Sequence, residues 1–381
     1  MKTASPAILH LTESLTRLGG MEVFLNNWLR ADANCAAAAV LDSQQSLEGQ
    51  ERQIGLRPNR LYSLNRIRNH VKNLQLQCGT LICHNFAGLS ALSDLIAHER
   101  LVVYLHTNSA DVWPRLSRLA PFVDGCITCG VNLMGEVKKL LGDSPVTVAP
   151  FESPIDDSFF RTRRVKKNDA LFIGYAGRLV VEQKRVDRLE AFCRALTAHG
   201  VDFRLQITGD GPDKARLARQ LAPFPVEFLG MLKREQVAGI FAGWDFQIVT
   251  SDYETGPLTA LEGMACGVIP IFPAIDCQVS DVLRGKFDPL FYPVGNMQEA
   301  AARLRTAASL VPAAIESLRS ELRGLMVPRS MTNNLQAAWR ILEGIRAKPS
   351  VRREISFQGS WADYLPLAVR CRWSGNSEFL K

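Results

Sequence analysis

At 381 residues, with 47% apolar and 22% charged side chains, the chain is long enough for two domains that each bury a core, and its composition excludes a disordered or fibrous protein. No run of about 18 apolar residues occurs and the N-terminus MKTASPAILH lacks the apolar stretch of a signal peptide, so neither a membrane span nor secretion is expected. Nine scattered cysteines, an odd number, fit a reduced cytoplasmic protein better than a disulfide framework; the net charge is +7, its distribution says more than its size, and no nucleic-acid partner is expected.

From the N-terminus onward, short apolar runs alternate with helical patterns. AILHL (7–11) is followed by the pair Gly19 and Gly20, then by AAAAVL (36–41). Between Arg52 and Lys72 lie six basic residues (Arg52, Arg57, Arg60, Arg66, Arg68, Lys72) and no acid, while Leu61, Leu64, Ile67, Val71 and Leu74 recur at helical spacing. This predicts an amphipathic helix with a cationic face, which is either simply solvated or turned to anionic lipid or a phosphorylated acceptor. LICHN (81–85), LVVYLH (101–106), CITC (126–129) and VTVAP (146–150) continue the series. Cys126 and Cys129 form a C-x-x-C, yet they sit within one strand pattern with no second pair nearby, so no metal or redox role is expected. His84 reads as a structural histidine.

Proline, charge and lost periodicity coincide in PFESPIDDSFFRTRRVKKND, which places a boundary near 160–168 and divides domains 1–165 and 166–356. The second half supplies ALFIGYAG, DFRLQITG, VEFLG, DFQIVTS and VIPIF, separated by amphipathic segments such as DRLEAFCRALTAHG. Such β-α alternation predicts parallel, doubly wound sheets in an α/β fold. Helical patterns follow near 309–324 and 331–345. The terminal stretch 357–381, with Ser360 and Asp363 as a capping pair, is expected to be a helix docked on the first domain.

The segment DFQIVTSDYETGPLTALEGMACGVIPIF carries the most chemistry. Pro257 suits the first position of a helix over Leu258–Cys266 and Gly267 suits its end. In open α/β sheets, ligands bind at the carboxyl ends of strands, where free N–H groups of helix N-termini hold anions. Two acids, Glu254 before the helix and Glu262 on it, make sense beside an anion site only if the ligand also offers hydroxyls. A nucleotide sugar does so. Arg178 and Lys184 stand in the loop after the strand ALFIGYAG, again at a carboxyl end, where cations can face a diphosphate.

ETGPLTALEGMACG resembles the E-x7-E signature of family-four retaining glycosyltransferases with the GT-B fold, with Glu254 and Glu262 at its two glutamates. The resemblance implies two Rossmann-like domains facing a central cleft. By it, Glu254 faces the transferred sugar and Glu262 the ribose, while Thr255, Gly256, Leu258 and Thr259 line the donor. Arg178 and Lys184 match the family's diphosphate clamp, and Gly230, Met231 and Leu232 fall where a loop borders the base. LTRLGGMEVF resembles the glycine-rich loop, in which Gly19 and Gly20 let backbone approach the sugar or diphosphate; a plain tight turn explains the pair equally well. His106 falls where a family histidine contacts the donor sugar, and LQITGDGP matches an architectural Gly-Asp-Gly turn. Three departures stand out: Arg185 replaces a usual glycine, PFESPID replaces the common Pro-Asn-Gly-Val-Asp turn, and PAIDCQ lacks a glycine pair.

The expected function is transfer of a hexose-type sugar, with retention, from a nucleotide-diphosphate donor to a glycan or lipid-linked acceptor. Glu254, His106, Arg178 and Lys184 would serve the reaction, with no metal and no cofactor, the nucleotide sugar being a substrate. Arg57, Arg60, Arg66 and Arg68 are expected to meet an acceptor or the inner membrane face. A nucleotide-sugar epimerase or a non-catalytic nucleotide-sugar-binding subunit are the alternatives. A hydrolase is disfavoured because Glu262 lies well into its helix, far from a bond that Glu254 could touch. The absence of G-x-G-x-x-G disfavours a nicotinamide dehydrogenase.

Overall fold

The computed structural model describes residues 5–16, 20–47, 51–57, 63–108, 112–163 and 170–347; Gly19, Arg60 and the segment 357–381 lie outside the described residues. Two compact units divide the chain. One runs up to Glu152 and resumes at Leu335, and the other is Ser153–Asn334. The boundary thus falls ahead of the expected 165/166, because the chain from Ser153 onward already belongs to the second unit: Ile155 pairs with Ser330, and its N–H donates to the Arg329 carbonyl at 2.8 Å. The return to the first unit also comes earlier than 356, within the helix Met331–Gly344. Ala338, Leu342 and Ile345 enter the first core. Trp339 Nε1 donates to Asp32 Oδ2 at 2.8 Å, and Arg100 Nη1 to the Leu342 carbonyl at 2.7 Å.

The first unit holds strands β1 (Ile8–Thr12), β2 (Cys35–Ala39), β3 (Gln53–Gly55), β4 (Gln77–His84), β5 (Ala97–Leu105), β6 (Gly125–Thr128) and β7 (Thr147–Pro150). They form one sheet in the order β3-β2-β1-β4-β5-β6-β7, all pairs parallel. The second unit holds β8 (Leu171–Ala176), β9 (Phe203–Thr208), β10 (Val226–Gly230), β11 (Phe246–Ile248), β12 (Ile269–Pro273) and β13 (Phe291–Tyr292), ordered β10-β9-β8-β11-β12-β13 and again parallel. Parallel neighbours need helical crossovers, which bury the sheet on both faces; hence the near-continuous apolar runs rather than alternation. Each sheet reverses its order beside its first strand, between β1 and β4 and between β8 and β11. The carboxyl ends at such a point are where open α/β sheets take their ligands.

The basic stretch resolves into separate uses. Arg52 bonds to the carbonyls of Leu29 and Asp32 and so satisfies the C-terminal end of the helix Gly20–Ala31. The amphipathic helix is Leu64–Leu74, capped by Ser63, with Leu64, Ile67 and Val71 buried. Arg68 does not belong to an open cationic face: its guanidinium grips Asp94 through two bonds of 2.8 and 2.6 Å. Arg57 is half-buried, whereas Arg66 and Lys72 are exposed. Cys126 lies in β6 with Cys129 just beyond it; both thiols are buried, neither forms a disulfide, and desolvation pushes them up to about 12.

Candidate active site

The loops leaving β8 and β11 carry the expected charged residues, and they meet. Lys184 Nζ stands 2.6 Å from Glu254 Oε1, and Ser251 Oγ donates to the same oxygen at 2.6 Å. Backbone contacts pin the two loops together: Asp252 N–H donates to the Gln183 carbonyl at 3.1 Å and Thr250 Oγ1 to the Lys184 carbonyl at 2.6 Å. Glu254 is 7% exposed, so its carboxylate is held by a charge-assisted pair in a largely dry place. Both bonds end on Oε1, which leaves Oε2 with no partner among the described residues. The arrangement orients a carboxylate while keeping one oxygen available to accept hydroxyl hydrogen bonds, beside an ammonium with further N–H groups to donate.

The helix Leu258–Ala265 starts at the same place. Its Thr259 Oγ1 donates to the Ala176 carbonyl at the end of β8 (3.2 Å), which ties the helix N-terminus to the loop of Arg178. Pro257 precedes it with no side-chain cap. Arg178 is exposed and has no ion-pair partner among the described residues. A Cβ on Gly256 would lie 2.8 Å from Gln278 Nε2 and 3.2 Å from Ser153 Oγ, so any larger residue there would have to displace those two side-chain ends.

The Gly-Asp-Gly turn after β9 does more than connect. A Cβ on Gly209 would stand 1.9 Å from the Gly177 carbonyl oxygen, and one on Gly211 would stand 2.3 Å from that of Leu179. Leu179 N–H donates to the Asp210 carbonyl at 2.9 Å, and Val181 N–H to Asp213 Oδ2 at 2.9 Å. The turn is therefore the backing against which the Arg178 loop is laid. Gly209→Ala should destabilise more than Gly200→Ala by about 1–3 kcal/mol, the overpacking increment. Gly200 also has a left-handed φ of 67°, but no atom within 4 Å of its virtual Cβ. Urea unfolding of the two variants compares them, and equal losses would show that the close approach does not matter.

Arg185, in the usual place of a glycine, sits at φ 48°. The backbone there is left-handed, which explains the glycine preference and costs an arginine roughly 1–2 kcal/mol. Its guanidinium bonds to Asp187 (Nε–Oδ1 3.1 Å, Nη2–Oδ2 3.0 Å) and to Asp252 (Nη1–Oδ2 3.0 Å), while Arg188 Nη2 meets Asp252 Oδ1 at 2.6 Å. Two half-exposed pairs contribute about 0.2–1 kcal/mol each. Arg185→Gly should thus change unfolding free energy by less than about 1 kcal/mol, strain relief offsetting lost pairs; a loss above about 3 kcal/mol in chemical denaturation would contradict the cancellation.

Glu262 lies on the helix at 2% exposure, with its pKa raised by burial and partly restored by Arg234. Arg234 Nη2 is 2.6 Å from Glu262 Oε1, an ion pair whose angle is poor for a straight hydrogen bond, and its Cζ lies 4.8 Å from the Phe159 ring centroid. Sequence reasoning missed Arg234, although it follows closely on the loop Gly230–Leu232 that was expected to border a base. Gly230 takes φ 66° and its carbonyl accepts the Gly209 N–H at 2.9 Å; Met231 is 48% exposed and Leu232 half-buried.

In the first unit, Gly20 opens the helix Gly20–Ala31 with nothing within 4 Å of its virtual Cβ, so the fold does not itself demand glycine there. The residues before it are held by Asp42, whose carboxylate accepts from Ser14 Oγ, Leu15 N–H, Thr16 N–H and Thr16 Oγ1 at 2.6–3.2 Å. His106 follows β5, half-buried, stacked on Tyr104 with ring centroids 4.1 Å apart. Its Nε2 is 2.7 Å from His84 Nδ1, and His84 Nε2 is 3.0 Å from His10 Nδ1. Burial pushes His10 and His106 down to about 3 and His84 well below the ordinary range, and the neighbouring imidazoles add to the effect on His84 and His106.

Residues 170–309 match the family Glycosyl transferases group 1. The GDP-mannose-dependent alpha-(1-6)-phosphatidylinositol dimannoside mannosyltransferase of Mycobacterium tuberculosis is 39% identical over 192 residues, covering 45% of this chain and 48% of that one. The chain thus spans about half the length of that curated relative. Among solved structures, sucrose-phosphate synthase from Thermosynechococcus elongatus aligns with TM-score 0.70 at 15% identity, over 88% of this chain and 98% of that one. HepE from Anabaena, solved with UDP and glucose, aligns with TM-score 0.69 at 15% identity, over 89% and 100%. These two likenesses concern the fold, two parallel α/β sheets of the GT-B kind.

Proposed function

We propose, for a chain that carries a group 1 glycosyl transferase domain on a GT-B fold, that it moves a hexose-type sugar with retention from a nucleotide-diphosphate donor to a hydroxyl of a glycan or lipid-linked acceptor. The observation that carries the reading is the Lys184–Glu254 pair at the switch point of the second sheet. There Glu254 Oε2 is placed to accept sugar hydroxyls, while Arg178, Lys184 and the N-terminus of the helix Leu258–Ala265 supply positive charge to a diphosphate. In the reaction, the bond from the anomeric carbon to the donor phosphate oxygen breaks as one to the acceptor oxygen forms on the same face. The acceptor proton passes to a phosphate oxygen. The charge that grows on the leaving diphosphate is met by fixed cations and N–H dipoles, the role a metal would otherwise fill, so we propose metal-independent turnover.

Glu262 is proposed to hold the ribose, exchanging contact with Arg234 for hydroxyls, and Gly230–Leu232 to border the base. Thr255, Gly256, Leu258 and Thr259 would line the donor, and His106 would contact its sugar. The mycobacterial relative's name makes GDP-mannose the first donor to try. Among the described residues no helix is long and apolar enough to cross a membrane; cytoplasmic residence with peripheral contact through the exposed Arg66 and Lys72 is part of the proposal. The test is a panel of nucleotide sugars with and without chelator, the product's anomeric configuration being read by NMR. Acceptor-dependent turnover with a retained anomer, unaffected by chelator, is expected. Inversion, or activity that chelator abolishes and magnesium restores, would overturn the respective element. Conversion of the donor without any acceptor would favour an epimerase.

A further inference from the structure

We infer that His10 and His84 are positioning residues for His106: the three imidazoles form one hydrogen-bonded chain that fixes His106 as a neutral ring in a single tautomer. The inference rests on the reading of His106 as a contact of the donor sugar. Its geometric part stands without that reading.

The chain crosses the switch point of the first sheet. His10 lies in β1, His84 ends β4, and His106 follows β5, so three adjacent strands contribute one ring each. The links run His10 Nδ1 to His84 Nε2 at 3.0 Å and His84 Nδ1 to His106 Nε2 at 2.7 Å. A neutral imidazole carries one N–H and one lone pair, on different nitrogens. If His84 donates through Nδ1, its Nε2 must accept from His10 Nδ1–H, and His106, accepting on Nε2, carries its own proton on Nδ1. In the reverse sense all three carry the proton on Nε2. No mixed pattern of neutral rings satisfies both links, so the three share one tautomer. The outer nitrogen of His106, Nδ1, has no partner among the described residues and is thereby made a donor or an acceptor by choice of the whole chain.

The surroundings discourage a proton from entering. His10 and His84 are at most 1% exposed, and His10 stands edge-on to Trp28 with centroids 4.9 Å apart. Phe24 packs against His84 and His106, and Tyr104 stacks on His106. The charged groups that bear on the cluster are few. Asp32 acts on His10, though Trp339 Nε1 and the Asn34 N–H already occupy its carboxylate, and Glu152 and Cys129 act on Tyr104. His106 is gripped a second time, its backbone N–H donating to Asn85 Oδ1 at 2.8 Å. Asn85 and Phe86 follow His84 at φ 47° and 65°, left-handed positions that are uncommon for such residues and that the fold holds nonetheless.

The test reads the rings themselves. In the full-length protein, nitrogen-15 NMR of the six histidines assigns tautomer and charge of each ring without any substrate. His10, His84 and His106 should be neutral from pH 8 to 6, all protonated on the same-named nitrogen. In His84→Phe, and separately in His10→Phe should the first variant fold poorly, the nitrogen shifts of His106 should move towards a tautomer mixture, while burial beneath Phe24 and Tyr104 keeps the ring neutral over the same pH range. With a working donor, kcat/KM of His84→Phe should fall by a similar factor at every pH from 8 to 6, the loss following the fraction of His106 in the wrong tautomer. Unlike tautomers in the wild type, titration of His106 above pH 6, or a His106 spectrum indifferent to both substitutions would overturn the inference. Because the spectra need no turnover, failure to use nucleotide sugars would sink the enzymatic reading and leave the imidazole chain to be judged by itself.

Discussion

Glu254→Gln is expected to lower kcat/KM by about 10²–10³ while leaving affinity for the free nucleoside diphosphate within about threefold, because the proposed partner of its Oε2 is the sugar and not the phosphates. Lys184→Ala should lower both. An ammonium about 4 Å from a developing phosphate charge contributes ~4 kcal/mol at an effective dielectric of 20, close to 10³ in rate. The same substitution leaves the Glu254 carboxylate, 7% exposed, with Ser251 as its remaining partner among the described residues, so some of the loss will be disorder of the acid. The double variant separates the two contributions: if Lys184 acts partly by orienting Glu254, the combined loss will be smaller than the product of the single losses. Steady-state kinetics with calorimetric binding of the nucleotide checks this. Equal loss of nucleotide affinity in Glu254→Gln would place the carboxylate at the phosphates and contradict the division of labour.

Acid should destabilise the first unit more than an ordinary protein. Histidines held below their unfolded value of about 6.5 take up protons only when the chain opens. Their contribution is therefore complete above pH 6.5 and is lost as pH falls from there towards about 3, the value at which burial holds His10 and His106. Between pH 7 and pH 5 each of these two would cost on the order of 2 kcal/mol, ~4 together. His84, shifted in the same direction, adds to it. Urea unfolding at the two pH values measures the loss, and His10→Phe should diminish it by about 2 kcal/mol. An unchanged pH dependence in that variant would contradict the assignment of the lost stability to the imidazoles.

How far the fold was readable depended on how much each segment buries. The strands that cross the middle of each sheet are continuous apolar runs and were located from the sequence, as was the α/β class. Gln53–Gly55 and Phe291–Tyr292 were not, because an edge strand of three or two residues pairs on one side only and leaves no periodicity to detect. Proline and charge suggest a linker where the second unit has already begun, since Ile155, 0% exposed, ties the chain after Glu152 into the second core. Lys184 and Glu254 were legible since each follows a recognisable strand. Their mutual contact was not, being a property of strand order. Arg234 and the histidine chain show the same limit more sharply. A basic residue opening a helix, and a histidine within AILHL, look like surface charge and core filling until the sheet brings Glu262 and His84 beside them. Arg68 was misjudged in the opposite sense, its acid partner Asp94 lying outside the basic stretch in sequence.

The basic side chains after β8 and the N-terminus of the helix Leu258–Ala265 are proposed to receive a diphosphate. Calorimetric titration of GDP, UDP and the matching nucleosides into the wild type and into Arg178→Ala tests it most directly. Binding of at least one nucleoside diphosphate, weakened about tenfold or more by the substitution while the nucleoside's own weak binding stays unchanged, is the predicted result. Nucleotide binding that is absent throughout, or that is indifferent to Arg178, would contradict it.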